Sequence, residues 1–327
     1  VTLTRVGSYY MEEEELGQGW LCTVHEAWKP VQLKTGTWGR KYVAIKRYRD
    51  NVSPNQPTWE SLRDEATIGT AVDHPNLLRV QEVIETDRGP HLVMELLDGV
   101  TLDRLTTDGR HLVPLMPPLA LEIIYQVALG LHSLHTLEID GKPVFPVHRD
   151  VKPHNAFLTR DGRVVLFDYG ICHFTGMKLQ DLPNQVYGSC HYMSPEQALG
   201  LVDITHMTDQ YGLATMLYQL IAGRYAYEGC AQNILYDVVN PEKSPPLDLI
   251  EQRCPQVVPI LRRCWQNNPK MRYPNMRWLA RALWQARRTY QSINNLAVVR
   301  PALTGWTLPS STPTRRVATA PMPTAHE

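Results

Sequence analysis

In His148-Arg149-Asp150-Val151-Lys152-Pro153-His154-Asn155 a carboxylate, a cation and a carboxamide stand within six positions. Asp150 can accept or orient a hydroxyl proton. Lys152 can neutralise a phosphoryl group in transit, and Asn155 offers an oxygen to Mg²⁺. Further along, the apolar run over residues 164–167 reads as a strand that delivers Asp168 into Asp168-Tyr169-Gly170, a second hard oxygen ligand. Phosphoryl transfer demands little covalent chemistry and much placement of charge, which this set of side chains supplies. A surface loop of chance composition does not reproduce those residue types at that spacing.

Two other segments carry chemistry only in company. Gly17-x-Gly19-x-x-Cys22-x-Val24 lies between two strand-like runs, where glycines would let backbone N–H groups approach a phosphate chain closely. By itself it reads as an ordinary hairpin turn, because a dinucleotide-binding turn needs a helix directly after it and Thr23-Val24-His25-Glu26 continues as strand. Val43-Ala44-Ile45-Lys46 reads as a buried strand ending in a lysine, and a buried ammonium must be paired. Glu65 is a candidate partner, with Glu60 and Asp64 as rivals.

These residues must be held by surrounding elements. Alternating or β-branched runs at residues 21–28, 42–48, 78–85 and 91–96 predict a strand-rich first third. One helix over residues 59–72 interrupts it, with Leu62, Ala66, Ile68 and Gly69 on the inner face, and Asp73-His74-Pro75-Asn76 stops it. After Gly99 the period turns helical, over residues 120–134, 208–222, 257–267 and 276–291. The reading is therefore α+β: a small β-rich lobe over residues 1–97, a larger α-rich lobe over 98–292, and a Pro/Thr-rich tail over 293–327, extended or disordered.

The bulk numbers set outer bounds. The 327 residues suffice for two compact lobes. The 33 basic and 33 acidic side chains cancel, which gives no global pull towards nucleic acid or membrane. Glu12 to Glu15 reads as a solvated strand edge. Six cysteines without a Cys-x-x-Cys pair predict free thiols in a reducing, cytoplasmic setting. No apolar run approaches the roughly 20 residues that span a bilayer; attachment outside this chain is left open, as is a homodimer.

With those motifs in hand, the chain resembles the eukaryotic-type (Hanks-type) protein kinase family, from about Tyr9 to Arg288. The Gly17 loop, the Val-Ala-Ile-Lys46 strand, His-Arg-Asp150, Asp168-Tyr-Gly and Ser194-Pro195-Glu196 occur in the family's order. The resemblance implies the bilobal kinase fold and transfer of the γ-phosphoryl group of ATP, with Mg²⁺ or Mn²⁺, to hydroxyls of a protein substrate. It implies Glu65 as the partner of Lys46, since family spacing places the helical glutamate ten residues before Pro75. It implies an ATP site from Leu16, Gly17, Gly19, Val24, Ala44, Lys46 and Phe157, with Met94 as gatekeeper and a hinge over Glu95, Leu96 and Leu97. Asn155 and Asp168 would hold metal, Asp150 and Lys152 would act in catalysis, and His148, Arg149 and Asp209 would be structural. Arg272 would pair with Glu196. Lys152, together with Gly188-Ser189, is similar to the serine/threonine subgroup, and the local wording resembles bacterial members.

Departures from the family pattern carry their own expectations. Phe157 stands where leucine is usual, Tyr169 where phenylalanine is, and Cys22 where a third glycine is. Gly69, one turn after Glu65, replaces a larger apolar residue that the family packs against the aromatic side chain after Asp168; the expectation is a helix that swings easily and a Lys46–Glu65 pair that breaks when it does. Arg149 would receive an activation-segment phosphate, for which Thr175, Tyr187 and Ser189 are candidates, Gln185 being unable to carry one. Ser189 itself is expected to contact Asp150 and Lys152. Two other functions compete with this one: a scaffold of the same fold with its chemistry lost, and a small-molecule phosphotransferase.

Overall fold

A computed structural model describes residues 2–19, 21–50, 56–177 and 187–290, with side chains from residue 59 onward in the third segment. The chain divides into two compact units. Of the described residues, the first takes those up to Thr70 and Arg79–Leu97; the second takes Ala71–Leu78 and those from Asp98 to Tyr290. The tail expected over residues 293–327 lies outside the described residues, as does Gln185.

The first unit is one antiparallel sheet and one helix. Strands β1 (Leu3–Val6), β2 (Tyr9–Gln18), β3 (Cys22–Gln32) and β4 (Trp38–Tyr48) follow one another as hairpins, and β5 (Val80–Thr86) and β6 (Gly89–Met94) complete the order β1-β2-β3-β4-β6-β5. Glu13, Glu14 and Glu15 are solvent-exposed on β2. Strand β3 runs beyond its expected end to Gln32, through Pro30. That proline is tolerated because the pairing with β2 reaches no further than Trp28, so its missing N–H falls where β3 has only β4 as a neighbour.

The two faces of this sheet do different work, because side chains alternate along each strand. Val43 and Ile45 enter a buried cluster with Val6, Tyr9, Met11, Ala27 and Val93. The opposite face carries Lys46 across from Val24, and Ala44 across from Met94. Helix α1 (Gln56–Ala71) buries Leu62, Ala66 and Ile68, while the Thr67 and Thr70 hydroxyls donate back to the carbonyls of Arg63 and Ala66.

The second unit is mainly helical. It begins with a short strand, β7 (Gly99–Thr101), and one helical turn, α2 (Leu102–Leu105). A two-residue hairpin of β8 (Thr107–Asp108) and β9 (His111–Leu112) leads to α3 (Pro117–His135), whose leading proline suits a first turn that has no donor to satisfy. A second small hairpin, β10 (Glu138–Ile139) with β11 (Lys142–Pro143), precedes the chemistry-bearing loop. Then β12 (Ala156–Thr159) and β13 (Val164–Leu166) join β7 in a three-stranded sheet ordered β13-β12-β7.

Six more helical segments follow: α4 (Pro195–Ala198), α5 (Met207–Ala222), α6 (Ala231–Val239), α7 (Asp248–Arg253), α8 (Val258–Cys264) and α9 (Met276–Arg287). Helix α5 is the central post, since every residue from Thr208 to Ala222 is buried. Helix α3 packs on both α5 and α9, and its Leu121, Ile124, Val127, Ala128, Leu131 and Leu134 are all buried. Burial pushes the Cys264 thiol up to about 12, so that cysteine is inert packing. No helix among the described residues is long and apolar enough to cross a membrane.

Candidate functional site

In the first unit Lys46 sits on β4 and Glu65 on α1. The Lys46 ammonium donates to both carboxylate oxygens, Oε1 at 2.7 Å and Oε2 at 2.8 Å, and the two side chains are only 15% and 6% exposed. Of the rival acids, Glu60 pairs with Arg63 at 3.5 Å. Val24, Ala44 and Met94 lie on the Lys46 face of the sheet, Ala44 and Met94 nearly fully buried and Val24 half-buried. Glu95, Leu96 and Leu97 follow β6 outside any regular element and are half-buried.

Leu16 is exposed at the end of the same sheet. Beyond it Gly17 pairs with Val24, and Gly19 N–H donates to the Cys22 carbonyl at 2.8 Å. A Cβ at Gly17 would meet no protein atom within 4 Å, so the fold alone does not require a glycine there.

In the second unit the chemistry-bearing loop is built around Asp209. Its carboxylate, in the first turn of α5, accepts the backbone N–H groups of His148 and Arg149, both at 2.8 Å, and His135 Nε2 at 2.7 Å. Burial pushes the Asp209 carboxyl up, but those donors outweigh it and hold it below its ordinary range. The three contacts bend the loop into a conformation that a side chain rarely adopts, with Arg149 at φ 65°. His148 is fully buried beneath it, its Nε2 3.2 Å from the Phe167 carbonyl.

The polar groups converge just past that bend. Asp150 Oδ2 lies 2.6 Å from Lys152 Nζ and accepts Asn155 Nδ2 at 3.0 Å, while Oδ1 accepts the Ser189 N–H at 3.1 Å. Lys152 Nζ also donates to Ser189 Oγ at 2.6 Å. Asn155 spends its amide on Asp150, on the backbone carbonyl and on the carboxylate, each at 3.0 Å. Its Oδ1 is thereby turned to the acceptor role, the donor type that a hard cation takes.

Asp168 follows β13 with φ 70°, and the Phe167 N–H before it donates to the Asn155 carbonyl at 3.0 Å, which ties the two metal-ligand candidates together through the backbone. Among the described residues no cluster of three or more His, Cys, Asp or Glu could hold a metal unaided. One carboxylate and one carboxamide suit Mg²⁺, which completes its shell with substrate phosphates and water. The Tyr169 hydroxyl donates to the Leu78 carbonyl at 3.2 Å, a bond a phenylalanine could not make. Phe157 is half-buried in β12, opposite Val165 and Thr101.

The segment after the described break is pinned to the same loop. Ser194 caps α4 in a capping box with Gln197. Glu196 forms a two-pronged pair with Arg272, Nη1 to Oε1 at 2.7 Å and Nη2 to Oε2 at 2.8 Å, and accepts the Thr208 hydroxyl at 2.7 Å. Of the three candidate phosphate acceptors, Thr175 is exposed, Ser189 is engaged as above, and the Tyr187 ring lies 5.2 Å from the Arg149 guanidinium carbon.

Several contributors escaped the sequence reading. Gln197 could be anticipated as a cap from Ser-x-x-Gln, but not as the donor to two distant carbonyls that it also is. Nothing local marks His135 or Thr208. Nor does anything local mark the pair of His154 with Asp103 at 3.4 Å, in which the carboxylate holds that imidazole above its ordinary range.

Known proteins agree with this architecture. The family model described as "Protein kinase domain" matches residues 10–284. The tyrosine-protein kinase MasK of Myxococcus xanthus is 31% identical over 74% of this chain and 38% of its own length. The serine/threonine-protein kinase PrkC of Bacillus subtilis is 34% identical over 57% of this chain and 27% of its own. The serine/threonine-protein kinase PknB of Mycolicibacterium smegmatis is 30% identical over 80% and 40%. The chain thus spans well under half the length of these relatives. With the match covering most of its length, the chain belongs to the Hanks-type protein kinase family, serine/threonine group, and has that family's bilobal α+β fold.

Proposed function

We propose that this domain transfers the γ-phosphoryl group of ATP to serine and threonine hydroxyls of protein substrates, itself included, with Mg²⁺ or Mn²⁺ as the cation. The observation that carries the reading is the Asp150–Lys152–Ser189 arrangement, in which one ammonium bridges a carboxylate and a hydroxyl at 2.6 Å each. A substrate hydroxyl brought to Asp150 would find a proton acceptor beside a cation that balances the moving phosphoryl charge. Asn155 and Asp168 would hold the cation, which when bound neutralises phosphate charge. In the first unit, Lys46, fixed by Glu65, would hold phosphate oxygens. The open space beside Gly17 supports a backbone kept bare for a ligand and not for packing. Six free cysteines support a reducing, cytoplasmic setting.

The test is transfer of label from γ-labelled ATP with Mg²⁺, with Mn²⁺ and with chelator, to a generic protein mixture and to small hydroxylated acceptors. Label in serine and threonine of protein, lost with chelator and in Asp168→Asn, supports the proposal. Label only in small molecules favours the small-molecule phosphotransferase. Nucleotide binding without transfer favours the scaffold.

Gly69 gives a second expectation. It is buried in α1, one turn beyond Glu65, and glycine within a helix costs about 1 kcal/mol against a good helix former. Gly69→Leu is expected to stiffen α1, hold Glu65 on Lys46 for a larger share of the time, and raise basal activity about two- to fivefold. Initial rates at saturating ATP check this; an unchanged or lower rate in a folded variant removes helix mobility as the brake.

A further inference from the structure

The segment Tyr187–Ser189 is tied to the chemistry-bearing loop by side-chain and backbone contacts together. Gln197 Nε2 donates to the Arg149 carbonyl at 2.8 Å and to the Tyr187 carbonyl at 3.0 Å, so one side-chain amide bridges the two backbones. Its Oε1 is spoken for by the Ser194 N–H at 3.2 Å, which fixes the amide's orientation. Gly188 is what lets the strands of chain approach: with φ 117°, a Cβ there would stand 2.9 Å from the Arg149 carbonyl oxygen and 3.2 Å from Gln197 Nε2.

The side chains repeat the link. Arg149 is buried, its Nε donates to the Ile171 carbonyl at 2.6 Å, and its guanidinium sits over the Tyr187 ring at 5.2 Å, within the range of a cation–π contact. One residue beyond Gly188, the Ser189 N–H reaches Asp150 and its hydroxyl reaches Lys152. Whatever holds Tyr187 therefore also holds Ser189 against the two groups that meet the substrate hydroxyl.

We infer that Tyr187 is a positioning residue whose unmodified ring, with Gln197, clamps the 187–189 segment onto Arg149 and so aligns Asp150 and Lys152 without an activation-segment phosphate. The ring face gives the guanidinium a cation–π contact, and the glutamine supplies the backbone tether. Gln185, two residues before that ring, carries no hydroxyl that could take a phosphate.

This inference rests on the phosphoryl-transfer reading, so its test has a readout that does not need activity. Protein co-expressed with a phosphatase, and verified as phosphate-free by intact mass, is assayed for initial rates on a generic substrate and for backbone hydrogen exchange over residues 187–190. Wild type free of phosphate is expected to start at its full rate without a lag. Tyr187→Ala is expected to lose roughly tenfold in kcat, with KM for ATP held, and to exchange faster over that segment. Tyr187→Phe, which keeps the ring, recovers most of both.

Gln197→Glu keeps the acceptor for the Ser194 cap while removing both donor bonds, and is expected to behave like Tyr187→Ala. A lag that shortens as Tyr187 acquires phosphate, or a Tyr187→Phe variant as impaired as Tyr187→Ala, overturns the clamp. So does a Tyr187→Ala variant with native exchange over the segment. If wild type transfers no label in any state, the exchange comparison still decides the clamp, and only the phosphoryl-transfer reading falls.

Discussion

An Asp150→Asn variant is expected to lose about three orders of magnitude in kcat, roughly 4 kcal/mol of transition-state stabilisation, while KM for ATP changes little. The carboxylate is the meeting point of the loop. It accepts a backbone N–H from Ser189 and a side-chain amide from Asn155, and it neutralises Lys152. An amide of the same shape keeps the volume but turns an NH₂ towards groups that are themselves donors. It also removes the charge that would take up a substrate proton, and takes from Lys152 its carboxylate while the Ser189 hydroxyl stays beside it. Rates of label transfer measured beside the thermal midpoint check the prediction. A folded variant within tenfold of wild type would show that Asp150 is not the proton-accepting group.

The largest expected effect on stability lies away from that loop, at Glu196→Gln. Glu196 and Arg272 are 7% and 2% exposed, and their two short hydrogen bonds leave neither group a route to water. Removing one charge strands the other: the Arg272 guanidinium keeps its bonds to the Met207 and Gln266 carbonyls but has no counter-charge. Breaking such a pair costs about 3–5 kcal/mol, which chemical unfolding at pH 7 would register as a large drop in midpoint.

The pH dependence follows with a definite sign. Burial pushes the Glu196 carboxyl up, but the Arg272 and Thr208 hydrogen bonds outweigh it and hold it below its ordinary range. A carboxyl whose pKa is lowered in the folded state contributes stability that is fully present above its unfolded pKa, roughly 4.3, and is lost as pH falls through the folded one. The gap between wild type and Glu196→Gln is therefore expected to be constant near neutrality and to narrow below about pH 4. A gap that does not depend on pH would assign the pair's contribution to packing and not to charge.

The strand and helix pattern was readable because its period follows directly from which side faces a core. Helix α3 differs from its expected span by three residues at the start and one at the end, and α5 by one. Boundaries drifted where a local rule met a tertiary exception, as at Pro30 in β3. The short elements α2, α6 and α7 carry too few residues for a period to show.

The amino-acid sequence by itself determined the inventory of chemistry: which carboxylates, cations and amides exist, in what order, and on which kind of element. Those are properties of residue type and local spacing, which survive in a linear string. What only the tertiary structure decided is who meets whom over long separations. Residue type and helix position left Glu60 and Asp64 as rivals for Lys46 until the family resemblance pointed to Glu65, and the orientation of α1 on the sheet brings Glu65 to it. No periodicity could announce that Gln197 reaches back to Arg149, or that the Tyr187 ring underlies a guanidinium far earlier in the chain. Such contacts depend on the chain's return path, which is set by packing around α5 and not by any residue's neighbours in sequence. His148 to Asn155 carries the candidate groups, and the fold brings Gln197 and the 187–189 segment against them.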